Sequence, residues 1–121
     1  MTVSVRICGD FKGTINPVSK LDRYPIPKLE DLFTKLAGGK AFTKLDLSQA
    51  YQQVRLDDNS KQYVVINTHK GLFRYTRLPY GISSAPGIFQ RVMDNLLKGI
   101  PGVVVYLDDT LVTGTTAEEH L

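Results

Sequence analysis

One cysteine, two histidines and no long apolar run define this 121-residue chain by what it cannot build. The lone Cys8 excludes an internal disulfide and fits a reducing compartment. Only Cys8, His69 and His120 could offer soft metal ligands, so a structural zinc site is not expected. No stretch is long and apolar enough to span a bilayer, and no signal-peptide pattern opens the chain. Internal repeats and low-complexity segments are also lacking. What remains is ordinary for a folded domain: 42% hydrophobic and 22% charged residues, a net charge of +3 and a pI near 9.0. The mild basicity suggests a polyanionic partner without specifying one.

The acids carry the chemistry. Val103–Val105 favours a strand, Leu111–Thr113 resumes it, and Asp108 and Asp109 lie between, at the tip of an expected hairpin. Adjacent carboxylates repel unless a cation sits between them, and Mg²⁺ prefers oxygen ligands of this kind. The plain alternative is a polar turn, since aspartate is a common turn residue. The chain has nine aspartates, with a second adjacent pair at Asp57-Asp58, and the pair alone favours the turn. Asp46 ends a second apolar strand, Ala41–Leu47. If the two strands were neighbours in one sheet, three carboxylates would meet. A pair of Mg²⁺ ions about 3.5–4 Å apart would relieve the repulsion and could clamp a phosphoryl displacement. A helix cap or strand-end acid explains Asp46 equally, and simple packing explains Tyr51.

Coarse patterning places these residues. Val3–Ile7 reads as a strand and residues 8–26 as irregular, broken by Gly9, Gly13, Pro17 and Pro25. Pro27 suits the first turn of a helix carrying Leu29, Leu32, Phe33 and Leu36, closed by Gly38-Gly39. Ser48 can cap a helical turn through Ala50, Tyr51 and Gln52. Residues 57–60 read as a turn. Strands Tyr63–Asn67 and Leu72–Arg77 form a hairpin around Thr68–Gly71. A helix runs from about Ser84 to Lys98, with Ile88, Phe89, Val92, Leu96 and Leu97 as its apolar face. Thr116 with Glu119 reads as a capping box. The helix it starts is cut within its first turn, and Val3 has no strand before it, so the chain is expected to be excised from a larger protein. The fold class expected is α+β: an antiparallel sheet with helices on one face.

Three blocks in order, Leu45–Tyr51, Leu78–Pro86 and Tyr106–Asp109, resemble the motifs of reverse transcriptases, with greatest likeness to the Gypsy-type LTR retrotransposon branch. Asp22–Pro27 and Thr115–Leu121 are similar to that branch too. The resemblance implies a palm-like sheet plus a fingers hairpin, with fingers at about 1–19 and 54–84 and palm at about 20–53 and 85–121. It implies an RNA-directed DNA polymerase whose metal carboxylates are Asp46, Asp108 and Asp109, holding two Mg²⁺ (or Mn²⁺) ions. Tyr51 would exclude a 2′-hydroxyl from the incoming nucleotide. Arg6, Gln49, Ala50, Tyr80 and Gly81 would bind dNTP, though Arg6 reads equally as a surface strand residue. Pro86, Phe89, Gln90, Tyr106 and Leu107 would face the template-primer. Retroviral enzymes usually carry Gln where Tyr80 stands. Lys12, Lys20, Arg23, Lys28, Arg74 and Arg77 would meet nucleic-acid phosphates or simply form a solvated face.

The implied partners are an RNA or DNA template with its primer, dNTP, and the remaining Pol domains (thumb and ribonuclease H). No membrane is implied, and the implied location is intracellular, in a cytoplasmic retroelement particle. Without a thumb the fragment is expected to polymerise poorly. The competing reading is a catalytically idle remnant that binds nucleic acid or a partner. A phosphoacceptor signalling domain would need parallel βα alternation, which the two hairpins argue against.

Overall fold

A computed structural model describes residues 3–120, and it divides into two compact units built from interleaved segments. One comprises the residues up to Leu21 together with Tyr51–Ala85. The other comprises Asp22–Ala50 with the residues from Pro86 on. The whole is α+β with antiparallel sheets, as the patterning predicts.

The first unit is built around a hairpin. Strands β2 (Val65–Thr68) and β3 (Gly71–Arg74) pair antiparallel across His69-Lys70. Gly71 sits at φ 112°, where a side chain would be strained. A short helical turn, α3 (Asp58–Lys61), precedes the hairpin where the sequence reads as a plain turn. Its cap is Asp57, which accepts from the Ser60 amide at 2.6 Å. A second single turn, α1 (Ile15–Val18), falls in the segment expected to be irregular. The Asn16 side chain then holds the loop after the hairpin, donating to the Gly81 carbonyl at 2.8 Å and accepting from the Ser83 amide at 3.0 Å. Phe11 fills the unit's core and meets the Tyr75 ring edge-on. Val3–Ile7 does not form the expected strand. A strand needs a hydrogen-bonding neighbour, and among the described residues this run has none; Val3, Val5 and Ile7 are all exposed.

The second unit holds a three-stranded sheet in the order β1-β5-β4. Strand β1 (Ala41–Asp46) pairs antiparallel with β5 (Asp109–Gly114), which pairs antiparallel with β4 (Val103–Tyr106). Helix α2 (Leu29–Leu36) has the expected apolar spacing and buries Leu32. Pro27 lies one residue outside its cap position, Lys28, rather than within the first turn. Helix α4 (Ala85–Leu96) is shorter at its C-terminal end than expected. Phe89 is buried on it and Gln90 fully so, but Leu96 is 69% exposed. Helix α5 (Ala117–His120) starts with the expected Thr116–Glu119 pairing: the Glu119 amide donates to Thr116 Oγ1 at 3.2 Å. The Glu119 carboxylate reaches back one residue further than a standard capping box, to the amide and hydroxyl of Thr115. The continuation to Leu121 lies outside the described residues.

Two glycines are required by close approach. Gly102, at φ 72°, turns the chain into β4, and a Cβ there would fall 2.3 Å from the Thr113 carbonyl oxygen. Gly114 lies against the last residues of α5, where a Cβ would meet the His120 amide at 2.5 Å.

Candidate catalytic carboxylate site

Register decides where the acids go. Asp46 is the Cα partner of Asp109 across β1 and β5, and Tyr106 is the partner of Asp109 across β4 and β5. Directly opposed residues on antiparallel strands project to the same face. Asp46, Asp109 and Tyr106 therefore share one face of the sheet, and Lys44, two residues before Asp46, shares it too. The opposite face carries Thr43, whose hydroxyl lies 2.9 Å from His120 Nε2 of α5.

Only one of the two adjacent acids is in the hairpin turn. The loop is Leu107-Asp108, and Asp109 is the first residue of β5. Leu107 adopts φ 55°, the left-handed conformation that a short hairpin of this twist demands. For leucine this is strained, and the surroundings hold it. The Leu107 amide donates to Gln90 Oε1 at 2.9 Å, and Gln90 Nε2 donates to the Val105 carbonyl at 2.9 Å. The same Nε2 donates to Asp94 Oδ1 at 3.1 Å, and Asp94 Oδ2 accepts from the Tyr24 hydroxyl at 2.7 Å. The Asp94 hydrogen bond is the main reason the Tyr24 hydroxyl titrates above its ordinary value. Arg91 stacks over the Tyr24 ring at 5.3 Å and pairs with Asp22. One buried amide on α4 thus braces the end of β4 and the first residue of the turn that carries Asp108.

The electrostatics are uneven. Asp109 Oδ2 lies 3.0 Å from Lys44 Nζ. Asp108 Oδ1 is buried with no hydrogen-bond partner, as is Thr110 Oγ1. A buried carboxylate oxygen without a donor is costly, and a cation is the ligand that satisfies it. The donor set here is carboxylate oxygen, which suits Mg²⁺ or Mn²⁺. Among the described residues, no three His, Cys, Asp or Glu side chains already converge as a formed metal shell. The acids are brought to one edge of the sheet but not drawn together around a point.

The remaining residues singled out in the sequence fall into separate groups. In the hairpin unit, the rings of Tyr51 and Tyr80 pack at 5.0 Å and the Arg6 guanidinium sits 4.9 Å over the Tyr80 ring. Arg6, Tyr80 and Tyr51 therefore form one continuous stack, and Tyr51 is buried. Gly81 follows at φ 93°, where a Cβ would approach the Gly9 carbonyl at 3.0 Å. In the sheet unit, Gln49 adopts φ 50° in the turn after β1, and Ala50 is buried. Phe89 and Gln90 are buried, and Gln90 supports the turn. Pro86, Tyr106 and Leu107 are half-buried. Sequence reasoning passed over Asp94, Tyr24 and Lys44. The one available signal was a Gln among Ile88, Phe89 and Val92 with an Asp four residues on, a spacing that places both on one helix face.

The family described as reverse transcriptase (RNA-dependent DNA polymerase) matches residues 7–121. The uncharacterized protein K02A2.6 of Caenorhabditis elegans is 41% identical over 120 residues, covering 98% of this chain and 9% of its own length. The retrovirus-related Pol polyprotein from transposon 297 of Drosophila melanogaster is 35% identical over 118 residues, covering 96% of this chain and 11% of the polyprotein. Among solved structures, the foamy viral protease-reverse transcriptase in complex with RNA/DNA hybrid superposes with a TM-score of 0.81 at 27% identity. That match covers 92% of this chain and 15% of the viral one. This chain therefore spans about a tenth of the curated relatives it matches. A strand-end acid opposed to a braced acidic hairpin, and a match over nearly every residue, lead to one statement: the chain belongs to the reverse transcriptase (RNA-dependent DNA polymerase) family.

Proposed function

We propose that this chain is the catalytic core of an RNA-directed DNA polymerase, adding dNTP to a primer 3′-hydroxyl with release of pyrophosphate. The observation that carries the reading is the register of Asp46 with Asp109 beside the turn holding Asp108, whose buried Oδ1 lacks a donor. Asp46 and Asp108 are the residues that would hold two Mg²⁺ ions, or Mn²⁺, with Asp109 in support. When bound, the ions supply charge neutralisation at the reacting phosphate and a lowered pKa for the attacking hydroxyl.

The chain's own residues contribute position and charge. Gln90 and Asp94 fix the Leu107-Asp108 turn, so Asp108 does not have to be ordered when substrate arrives. Tyr51, backed by Tyr80, presents a held aromatic wall that leaves no room for a 2′-hydroxyl. Arg6, held over Tyr80, offers a forked donor to a triphosphate. Gln49, Ala50 and Gly81 are the remaining residues proposed to bind dNTP. Pro86, Tyr106 and Leu107 serve the template-primer.

The unit with the β2–β3 hairpin corresponds to fingers and the unit with the three-stranded sheet to palm. Partners are a template with primer, dNTP, and the thumb and ribonuclease H segments of a longer Pol protein. The solved relative bound to an RNA/DNA hybrid supports the nucleic-acid partner. No helix among the described residues is long and apolar enough to cross a membrane. The expected setting is a cytoplasmic retroelement particle.

Primer extension on an RNA template with dNTP and Mg²⁺ tests the reading. It compares this chain, a version extended through a thumb, and Asp108→Asn in each. The extended form polymerises and Asp108→Asn abolishes it; activity that survives the substitution places the chemistry elsewhere.

A further inference from the structure

Lys44 has no part in the roles assigned above, yet its ammonium is placed on an acid that the reaction needs. It projects from the same face of β1 as Asp46, and its Nζ lies 3.0 Å from Asp109 Oδ2. We propose that Lys44 is a built-in counter-cation that competes with divalent metal for Asp109 and so sets the metal affinity of the carboxylate site. The inference rests on the metal reading of Asp46, Asp108 and Asp109 given above.

The argument is electrostatic. Three carboxylates occupy this edge of the sheet, and Lys44 pairs with one of them. A divalent ion entering beside Asp109 must take the Oδ2 held by Lys44 or make do with Oδ1 alone, and it then sits near that positive charge. Both effects weaken binding. The pair is half-exposed, at 58% for Lys44 and 42% for Asp109, so water screens it but does not erase it. A salt bridge that merely braced the sheet would predict the opposite sign: its loss would loosen the site and weaken the ion. Here its loss tightens the ion.

Mn²⁺ titration of the whole chain, followed by the free-ion signal in electron paramagnetic resonance, measures this without catalysis. Lys44→Gln should tighten Mn²⁺ by about three- to tenfold, from removal of one competing unit charge at near-surface dielectric. Lys44→Met is a second neutral variant should the first fold poorly, as judged by circular dichroism. Lys44→Arg keeps the charge, and Lys40→Gln removes a charge elsewhere on the same segment; both should stay within about twofold of the parent, the spread that screened surface charges produce. In an Asp109→Asn background, Lys44→Gln should have no further effect.

If Asp108→Asn weakens Mn²⁺ while Lys44→Gln and Lys44→Met leave it unchanged or weaken it, the Lys44 proposal is overturned and the metal reading stands. If no form binds Mn²⁺, or Asp108→Asn has no effect, the metal reading itself is overturned and the proposal falls with it.

Discussion

Gln90→Met should loosen the acidic turn by a calculable amount. Methionine matches glutamine closely in length and volume, so packing around a fully buried position is largely kept. What goes is three hydrogen bonds: to the Val105 carbonyl, from the Leu107 amide, and to Asp94. The Val105 carbonyl is then buried without a donor, which costs about 1–3 kcal/mol. The Leu107 amide is only part-buried and adds about 1 kcal/mol, and Asp94 keeps Tyr24. The expected loss is about 2–4 kcal/mol. With an m-value of about 2 kcal/mol/M, the urea midpoint falls by about 1–2 M. The chain has six tyrosines and no tryptophan, so tyrosine fluorescence reports the transition. Amide exchange supplies the local readout: the Leu107 N–H should lose its protection before the rest of β4 and β5 does. A loss below about 0.5 kcal/mol, the level of a neutral surface change, with Leu107 still protected would refute the bracing role.

Three further outcomes are expected. In a thumb-containing polymerase, Tyr51→Ala should retain dNTP addition and raise ribonucleotide use at least about tenfold, which is about 1.4 kcal/mol of discrimination; steady-state kinetics with paired dNTP and rNTP substrates measures it, and unchanged exclusion removes the gate. Gly102→Ala should cost at least about 2 kcal/mol, because a positive φ and a blocked Cβ position coincide there; thermal melting reads it. The pH profile of the melting temperature should fall at both ends. Glu119, hydrogen-bonded by Thr115, and Asp57, hydrogen-bonded by Ser60, titrate below their ordinary values of 4.5 and 3.8. Their stabilisation is present above those values and is lost as pH falls through the folded pKa, so Glu119→Gln should flatten part of the acid limb. Tyr24 titrates above its ordinary 10.0, so its contribution is present below that and lost on raising the pH further; Tyr24→Phe should remove that alkaline limb.

Local pattern made much of this fold legible. The apolar spacing of Leu29, Leu32 and Leu36 and the glycines after them marked α2, and the alternation around Thr68–Gly71 marked the hairpin. Features that depend on distant partners were harder to read. Val3–Ile7 has strand composition, but composition cannot supply a neighbour. Leu107 carries no turn signal, since its left-handed backbone is imposed by Gln90 and the strand twist rather than by its side chain. The bracing by Gln90 was not legible because its partners, Val105 and Leu107, come from a different element. For the site, the ordered motif blocks named the acids, whereas only the β1–β5 register set Asp46 against Asp109 and Lys44 beside it. Helical spacing puts Leu96 on the inward face, but it is the last residue of α4 and stays exposed.

The interleaving of the two units has a consequence for biosynthesis. Strand β1 leaves the ribosome early, while β5, its hydrogen-bonding neighbour, is translated only after Tyr51–Ala85 and α4. Throughout that interval β1 is a nascent ribbon with a bare flank, carrying exposed Phe42 and Leu45. Slowing translation between α4 and β5 should therefore lower the yield of correctly folded chains, and a chaperone that shields extended segments should restore it.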